Sequence, residues 1–178
     1  MRTESLSYLV IALLIALPAK LGGEVTQATR ASADERLSAF EEYVDREWPG
    51  KSYQHSITAE SVRLLVEAIE GAGNELDHPD ADLKPRLSRM RTAATEFRDG
   101  NANDPQQTKR LQQLFLAAAD VMDRLALAAR ERDEVVRRLA AMRRSAGSLE
   151  LARPLPRQPD VIERFFRQAG EVLRSLMH

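Results

Sequence analysis

From Leu111 to Leu149 an apolar residue returns at every third or fourth position. The series is Leu111, Leu114, Ala118, Val121, Leu125 and Ala128, then Val135, Leu139, Met142, Ala146 and Leu149, with Arg132 the one break in phase. Such spacing keeps side chains on one face of a helix and would scatter them over both faces of a strand, so it commits the chain to helices that bury one stripe. Two readings fit. One is a single helix of about 45 residues, roughly 67 Å long at 1.5 Å per residue. The other is two helices that turn near Arg130-Glu-Arg-Asp133, with Asp133 as N-cap. Unbroken phase favours the rod, and ordinary helix lengths favour the pair.

The remaining periodic segments are also helical. Ser32-Ala-Asp-Glu35 is a capping-box pattern, followed by Leu37, Phe40, Val44 and Trp48 and stopped by Pro49-Gly50. Thr58 is an N-cap candidate for a helix carrying Val62, Leu65, Val66, Ile69 and Leu76, which Gly71 and Gly73 weaken and His78-Pro79 closes. Leu83, Leu87, Met90, Ala94 and Phe97 mark the next, with Pro85 tolerable in its first turn. Asp104-Pro105 opens the long run above. Three prolines between Arg153 and Pro159 make a stiff connector, and Val161, Ile162, Phe165, Phe166, Ala169, Val172, Leu173 and Leu176 form a strongly amphipathic final helix. No segment alternates as a strand does, and no internal repeat is evident.

The expected fold is all-α: an antiparallel, up-and-down four-helix bundle with additional N- and C-terminal helices. Its expected divisions are 1–19 as a signal peptide or N-terminal anchor, 20–32 as a linker, 33–152 as the bundle, 153–159 as a proline-rich hinge and 160–178 as the amphipathic C-terminal helix. Tyr8–Leu17 is a ten-residue apolar run after Arg2, with Ala19 as a candidate cut site. It is short for a membrane span, which needs about 20 apolar residues. The expected location is therefore periplasmic or secreted, with membrane contact only through an uncleaved N-terminus.

Composition excludes several classes. The chain has no cysteine, so disulfides, Cys-ligated zinc and iron–sulfur clusters are ruled out. Its 43% hydrophobic content and net charge of −1 argue against disorder. Charge is uneven: residues 104–178 carry fourteen basic and ten acidic side chains, the preceding eighty carry ten and sixteen. The overall balance and expected export argue against nucleic-acid binding.

Sites are few. Glu75-Leu-Asp-His78 has the spacing of a di-iron half-motif, but such a site needs two copies and further glutamates. Haem would need axial ligands inside the bundle; the candidates are Met90, His78 and Met142, where Met also serves as core filler. No nucleophile–base arrangement or phosphate loop is present, so no enzyme and no catalytic residue is expected. No metal site and no bound cofactor are expected.

The stretch from about Ala59 to Leu151 resembles the cytochrome b562 family of periplasmic four-helix bundles. Leu87-Ser-Arg-Met90-Arg-Thr-Ala-Ala94 is similar to that family's second helix, Asn103-Asp-Pro105 to its middle connection, and Leu139-Ala-Ala-Met142-Arg-Arg-Ser-Ala-Gly147-Ser148 to its last helix. The resemblance implies a turn near Arg132 and a haem held by a Met near Val62 or Leu64 and a His near Ser148 to Leu151. Neither ligand is present, so the resemblance implies a haem-less relative. The reading that follows is an exported, non-enzymatic binding or scaffolding module whose last helix meets a protein partner through Phe165, Phe166 and Leu173. The alternatives are a non-covalent haem or metal carrier and a small helical envelope chaperone or sensor.

Overall fold

A computed structural model describes residues 18–75, 81–101, 103–128 and 132–177, with side chains from Ser32 onward. Among these residues there are six α-helices and no strand: α1 Pro18–Glu47, α2 His55–Asn74, α3 Leu83–Arg98, α4 Gln107–Leu125, α5 Arg132–Gly147 and α6 Pro159–Met177. The fold is all-α. Short 3-10 turns follow α4 at Ala126–Ala128 and precede α6 at Leu155–Arg157.

The helices form three hairpins, α1–α2, α3–α4 and α5–α6, whose partners make the most extensive contacts in the molecule. Side-chain contacts fix their directions. Trp48 Nε1, just past α1, donates to Ser61 Oγ near the start of α2 (2.9 Å), while Gly71 near the end of α2 lies against Ala33. In the second hairpin Gln107 Nε2 donates to the Phe97 carbonyl (3.1 Å), and Arg86 pairs with Asp120. In the third, Ser145 Oγ donates to Gln168 Oε1 (2.7 Å) and Arg138 pairs with Glu171. The hairpins close on one another, α2 against α3, α4 against α5 and α6 against α1. The even-numbered helices also touch each other, so α2, α4 and α6 form the inside and α1, α3 and α5 cover the notches between them.

This arrangement carries a threefold repeat of about 50 residues that sequence reading misses. The outer helices bury Ala33, Leu37, Phe40, Val44 and Trp48; then Leu83, Met90 and Phe97, with Leu87 and Ala94 half-buried; then Val135, Leu139, Met142, Ala146 and Leu149. Arg-Leu begins the same turn in each, at Arg36, Arg86 and Arg138. On the inner helices Leu64-Leu65-x-x-Ala68-Ile69-Glu70 matches Leu114-Phe115-x-x-Ala118-Ala119-Asp120 and Phe165-Phe166-x-x-Ala169-Gly170-Glu171. The alanines are fully buried. Few identities survive because a buried helix position asks only for apolar volume, which Leu, Phe, Met and Ile supply alike.

Of the two readings of the long run from Leu111, the pair of helices is the one found: the start of α4 lies beside the end of α5, with Gln112 Nε2 donating to the Ala146 and Leu149 carbonyls (both 3.3 Å). Other expectations change. Residues 20–32, expected as a linker, are helical and belong to α1, which meets no Gly or Pro from Glu24 to Glu47. Ser32 and Thr58 are accordingly helix-interior; the Thr58 hydroxyl donates to the Gln54 carbonyl (3.0 Å). The expected hinge at 153–159 is a pinned corner. Buried Gln158 donates to the Glu150 and Arg153 carbonyls (3.1 and 2.8 Å) and accepts from the Glu150 N–H (2.8 Å), and Thr108 Oγ1 donates to the Arg153 carbonyl (3.0 Å). The final helix is a core member: Phe165 stacks on Phe115 with centroids 3.5 Å apart, and Phe166 packs edge-on to Phe40 and against Trp48. The apolar run Tyr8–Leu17 lies outside the described residues. Among the described residues no helix is long and apolar enough to cross a membrane.

Candidate functional site

The surface features with the clearest structure are the three seams where one hairpin meets the next. At the α6/α1 seam a cleft of about 340 Å³ has Phe40, Val44 and Phe166 as its floor. Charged pairs bridge it: Arg167 Nη1 to Asp45 Oδ1 (2.5 Å), and Arg174 to Glu41. Gly170 lets α1 approach, because a Cβ there would sit 3.3 Å from Glu41 Cγ. Burial would oppose the charge on the arginines, but the carboxylates win, and the Arg167 and Arg174 pKa values are raised mainly by hydrogen bonds to Glu163 and Glu41.

The α2/α3 seam is the same structure one repeat on. Its cleft of about 310 Å³ is lined by Val62, Val66 and Ala94 beneath Arg63, Glu67 and Arg98, and Arg91 Nε bonds Glu70 Oε1 at 2.5 Å. Here the acid is on the inner helix and the base on the outer, the reverse of α6/α1. Both clefts have the size of small-ligand pockets. In both, however, the charged groups at the mouth already hold one another. They read as the solvent-facing fastening of helix to helix, each pair worth ~1 kcal/mol or less.

The α4/α5 seam differs. Positions equivalent to the Arg167–Asp45 pair are Leu116 and Gly147, and the position of Gly147 is open, with no atom within 4 Å of an added Cβ. The Arg174–Glu41 pair has its counterpart in Asp123–Arg143 (3.3 Å), with charge reversed. The four large exposed hydrophobics among the described residues are Leu116, Leu127, Val136 and Leu151, at 46, 48, 47 and 53% exposure, all on or just beyond α4 and α5.

One end of the bundle holds a strongly perturbed tyrosine. Tyr53 lies beside His55, its hydroxyl 3.3 Å from Nδ1, and burial pushes its pKa up to about 12. The His55 ring packs on Phe97, 5.2 Å between centroids. At the same end Asp104 accepts from the Gln106 N–H (2.8 Å) and pairs with Arg110 (2.6 Å); the backbone N–H first, then Arg110, holds its carboxyl below the ordinary range. Nearby Gln107 Oε1 is buried with no hydrogen-bond partner. The Tyr53 hydroxyl also hydrogen-bonds Thr58, and with His55 packed on Phe97 the Tyr53–His55 contact reads as part of the packing.

Met90 and Met142 are fully buried at equivalent positions of α3 and α5, where α1 has Phe40; at all three the side chain fills the same hole between hairpins. His78 lies outside the described residues. Among the described residues no group of three or more His, Asp or Glu could hold a metal ion. Phe165, Phe166 and Leu173, expected to meet a partner, are fully buried within the chain. They sit on the apolar stripe that the rest of the bundle covers, so the partner contact expected of them is withdrawn. Sequence reading passes over Leu116, Leu127, Val136 and Leu151 because an apolar residue one step off a helical stripe looks like its edge. Only knowledge of which faces are covered separates the two. No protein-family model matches this chain, and neither a curated protein nor a solved structure matches it.

Proposed function

We propose that this chain is an exported, non-enzymatic helical-bundle protein of the cell envelope that works as a binding or scaffolding module through the α4/α5 face. One observation carries the reading: among the residues with described side chains, every large exposed hydrophobic lies between Leu116 and Leu151. Scattered single exposed apolar residues are ordinary, but the placing of Leu116, Leu127 and Val136 along one seam between hairpins marks an interaction surface. The up-and-down arrangement of successive helices belongs to the same reading, and the opposed directions within the hairpins support it. Such a bundle is a rigid frame, suited to present a face rather than to change shape around a substrate.

The test uses the full chain in its host envelope, with a photo-cross-linking residue at Leu127 or Val136 and, as controls, at Arg63 or Ser38. Discrete adducts from the first pair and none from the second support the reading; no adduct from either overturns it. Fractionation of the same cells reports whether the chain is exported. The haem alternative rests on the b562 resemblance and on buried Met90 and Met142. It predicts a stoichiometric, shifted absorption band on haem titration that Met90→Ala or Met142→Ala abolishes; the cofactor-free reading predicts no band.

A further inference from the structure

We propose that the occupant of the α4/α5 face is a second copy of this chain, joined by a two-fold axis that runs along the seam; this rests on the reading of that face as the interaction surface. The argument starts from the repeat. Three seams are built alike; at the position where α6/α1 has the Arg167–Asp45 ion pair and α2/α3 has Val66 and Thr95, α4/α5 has Leu116 and Gly147. A protruding leucine and an unfilled glycine stand at about one level, since Gln112, one turn before Leu116, bonds the carbonyls of Ala146 and Leu149 around Gly147. A knob and a hole on opposite sides of a seam satisfy each other only when a second copy is turned over onto the first.

The rest of the face obeys the same rotation. Helical spacing puts Leu116, Asp120, Asp123 and Leu127 on one outward stripe of α4 and its turn, and Val136, Ala140, Arg143 and Gly147 on one outward stripe of α5. A two-fold axis along the seam sets each α4 stripe over the partner's α5 stripe. Leu116 then meets Gly147, Leu127 meets Val136, and Asp123, paired within its own chain with Arg143 (3.3 Å), faces the basic stripe of the other copy, to which exposed Arg137 and Arg144 add positive charge. Rotation across the seam would instead lay acid over acid. Apolar ends with a charged centre of opposite sign on each side make a self-complementary patch of the kind that closed dimers use.

The chain has no cysteine, so introduced ones report without background. Full-length Leu116→Cys chains are mixed with Gly147→Cys chains and oxidised. A second mixture carries Val66→Cys and Thr95→Cys, the same positions of the α2/α3 seam. The proposal predicts a mixed disulfide dimer in the first and none in the second. Sedimentation of the cysteine-free chain shows a dimer, and Leu116→Glu, at an exposed site that leaves helical circular dichroism intact, weakens it at least about tenfold. A monomer at all concentrations, equal disulfide yield in both mixtures, or a dimer indifferent to Leu116→Glu overturns it. A monomeric purified chain that still gives adducts with another protein from Leu127 in the envelope refutes the dimer and leaves the binding reading standing; no adducts there refutes both.

Discussion

Replacing Phe165 by Ala separates a docked last helix from an appended one. The side chain is fully buried, stacked on Phe115 at 3.5 Å and 6°, and edge-on to Phe166. Phe→Ala at a closed site costs about 3–5 kcal/mol, the lost transfer energy plus the cavity left behind. The lost ring stack adds up to about 1 kcal/mol. Relaxation is limited, because Phe115 is itself held by α4 and Phe166 by Phe40 and Trp48. Against a total stability on the order of 5–15 kcal/mol this is a large share. For a chain of this size it lowers Tm by roughly 8–16 °C. Urea unfolding followed by circular dichroism measures it, with Ser38→Ala, at an exposed position of α1, expected to change stability by less than about 0.5 kcal/mol. A Phe165→Ala loss below about 1 kcal/mol, or a separate early transition for α6, would refute the claim that this helix completes the core.

The other predictions concern charge and close packing. Burial raises the Tyr53 pKa to about 12 from an ordinary value of 10, so its contribution to stability is full below pH 10 and disappears as pH rises through 12; phenolate absorbance against pH, compared with Tyr53→Phe, follows it. A double-mutant cycle on Glu41 and Arg174 is expected to give about 0.2–1 kcal/mol, since the arginine is mostly exposed, and less in high salt. Gly100→Ala would push a Cβ to 2.6 Å from Gln107 Nε2 and so break its bond to the Phe97 carbonyl, an expected loss of about 1–2 kcal/mol in chemical denaturation. Gly147→Ala, into space open within a single chain, is expected to be neutral or to stabilise the monomer by up to about 1 kcal/mol, measured at concentrations too low for association.

Much of the fold is legible in spacing alone. Leu83 to Phe97 and Leu111 to Leu125 read as helices, and they are α3 and α4, because a 3-4 rhythm has one geometric solution. The amphipathic stripe from Ile162 to Leu173 is equally plain. What it faces is not, because a stripe that docks and a stripe that waits for a partner have the same sequence. Two local signals point the wrong way. Ser32-Ala-Asp-Glu35 has the residues of a capping box, but an N-cap residue is itself extended, and α1 runs straight through Ser32. Prolines at 154, 156 and 159 suggest an independent joint, but Gln158 ties the corner through side-chain bonds that no local pattern announces. The α4/α5 face is harder still. Leu116 and Gly147 acquire meaning only beside Arg167 and Asp45, and that comparison needs the repeat, which Arg-Leu pairs and buried alanines mark too sparsely to be seen without the helices superposed.

The measurement that bears most directly on the account is hydrogen exchange of the native full-length chain, resolved to single amides. If three hairpins close around α2, α4 and α6, the amides from Ile162 to Leu173 exchange as slowly as those from Leu111 to Met122, through the same global unfolding event. If α6 amides exchange orders of magnitude faster than those of α4, the last helix is an appendage, the ring is open at the α6/α1 seam, and the threefold account of this bundle is wrong.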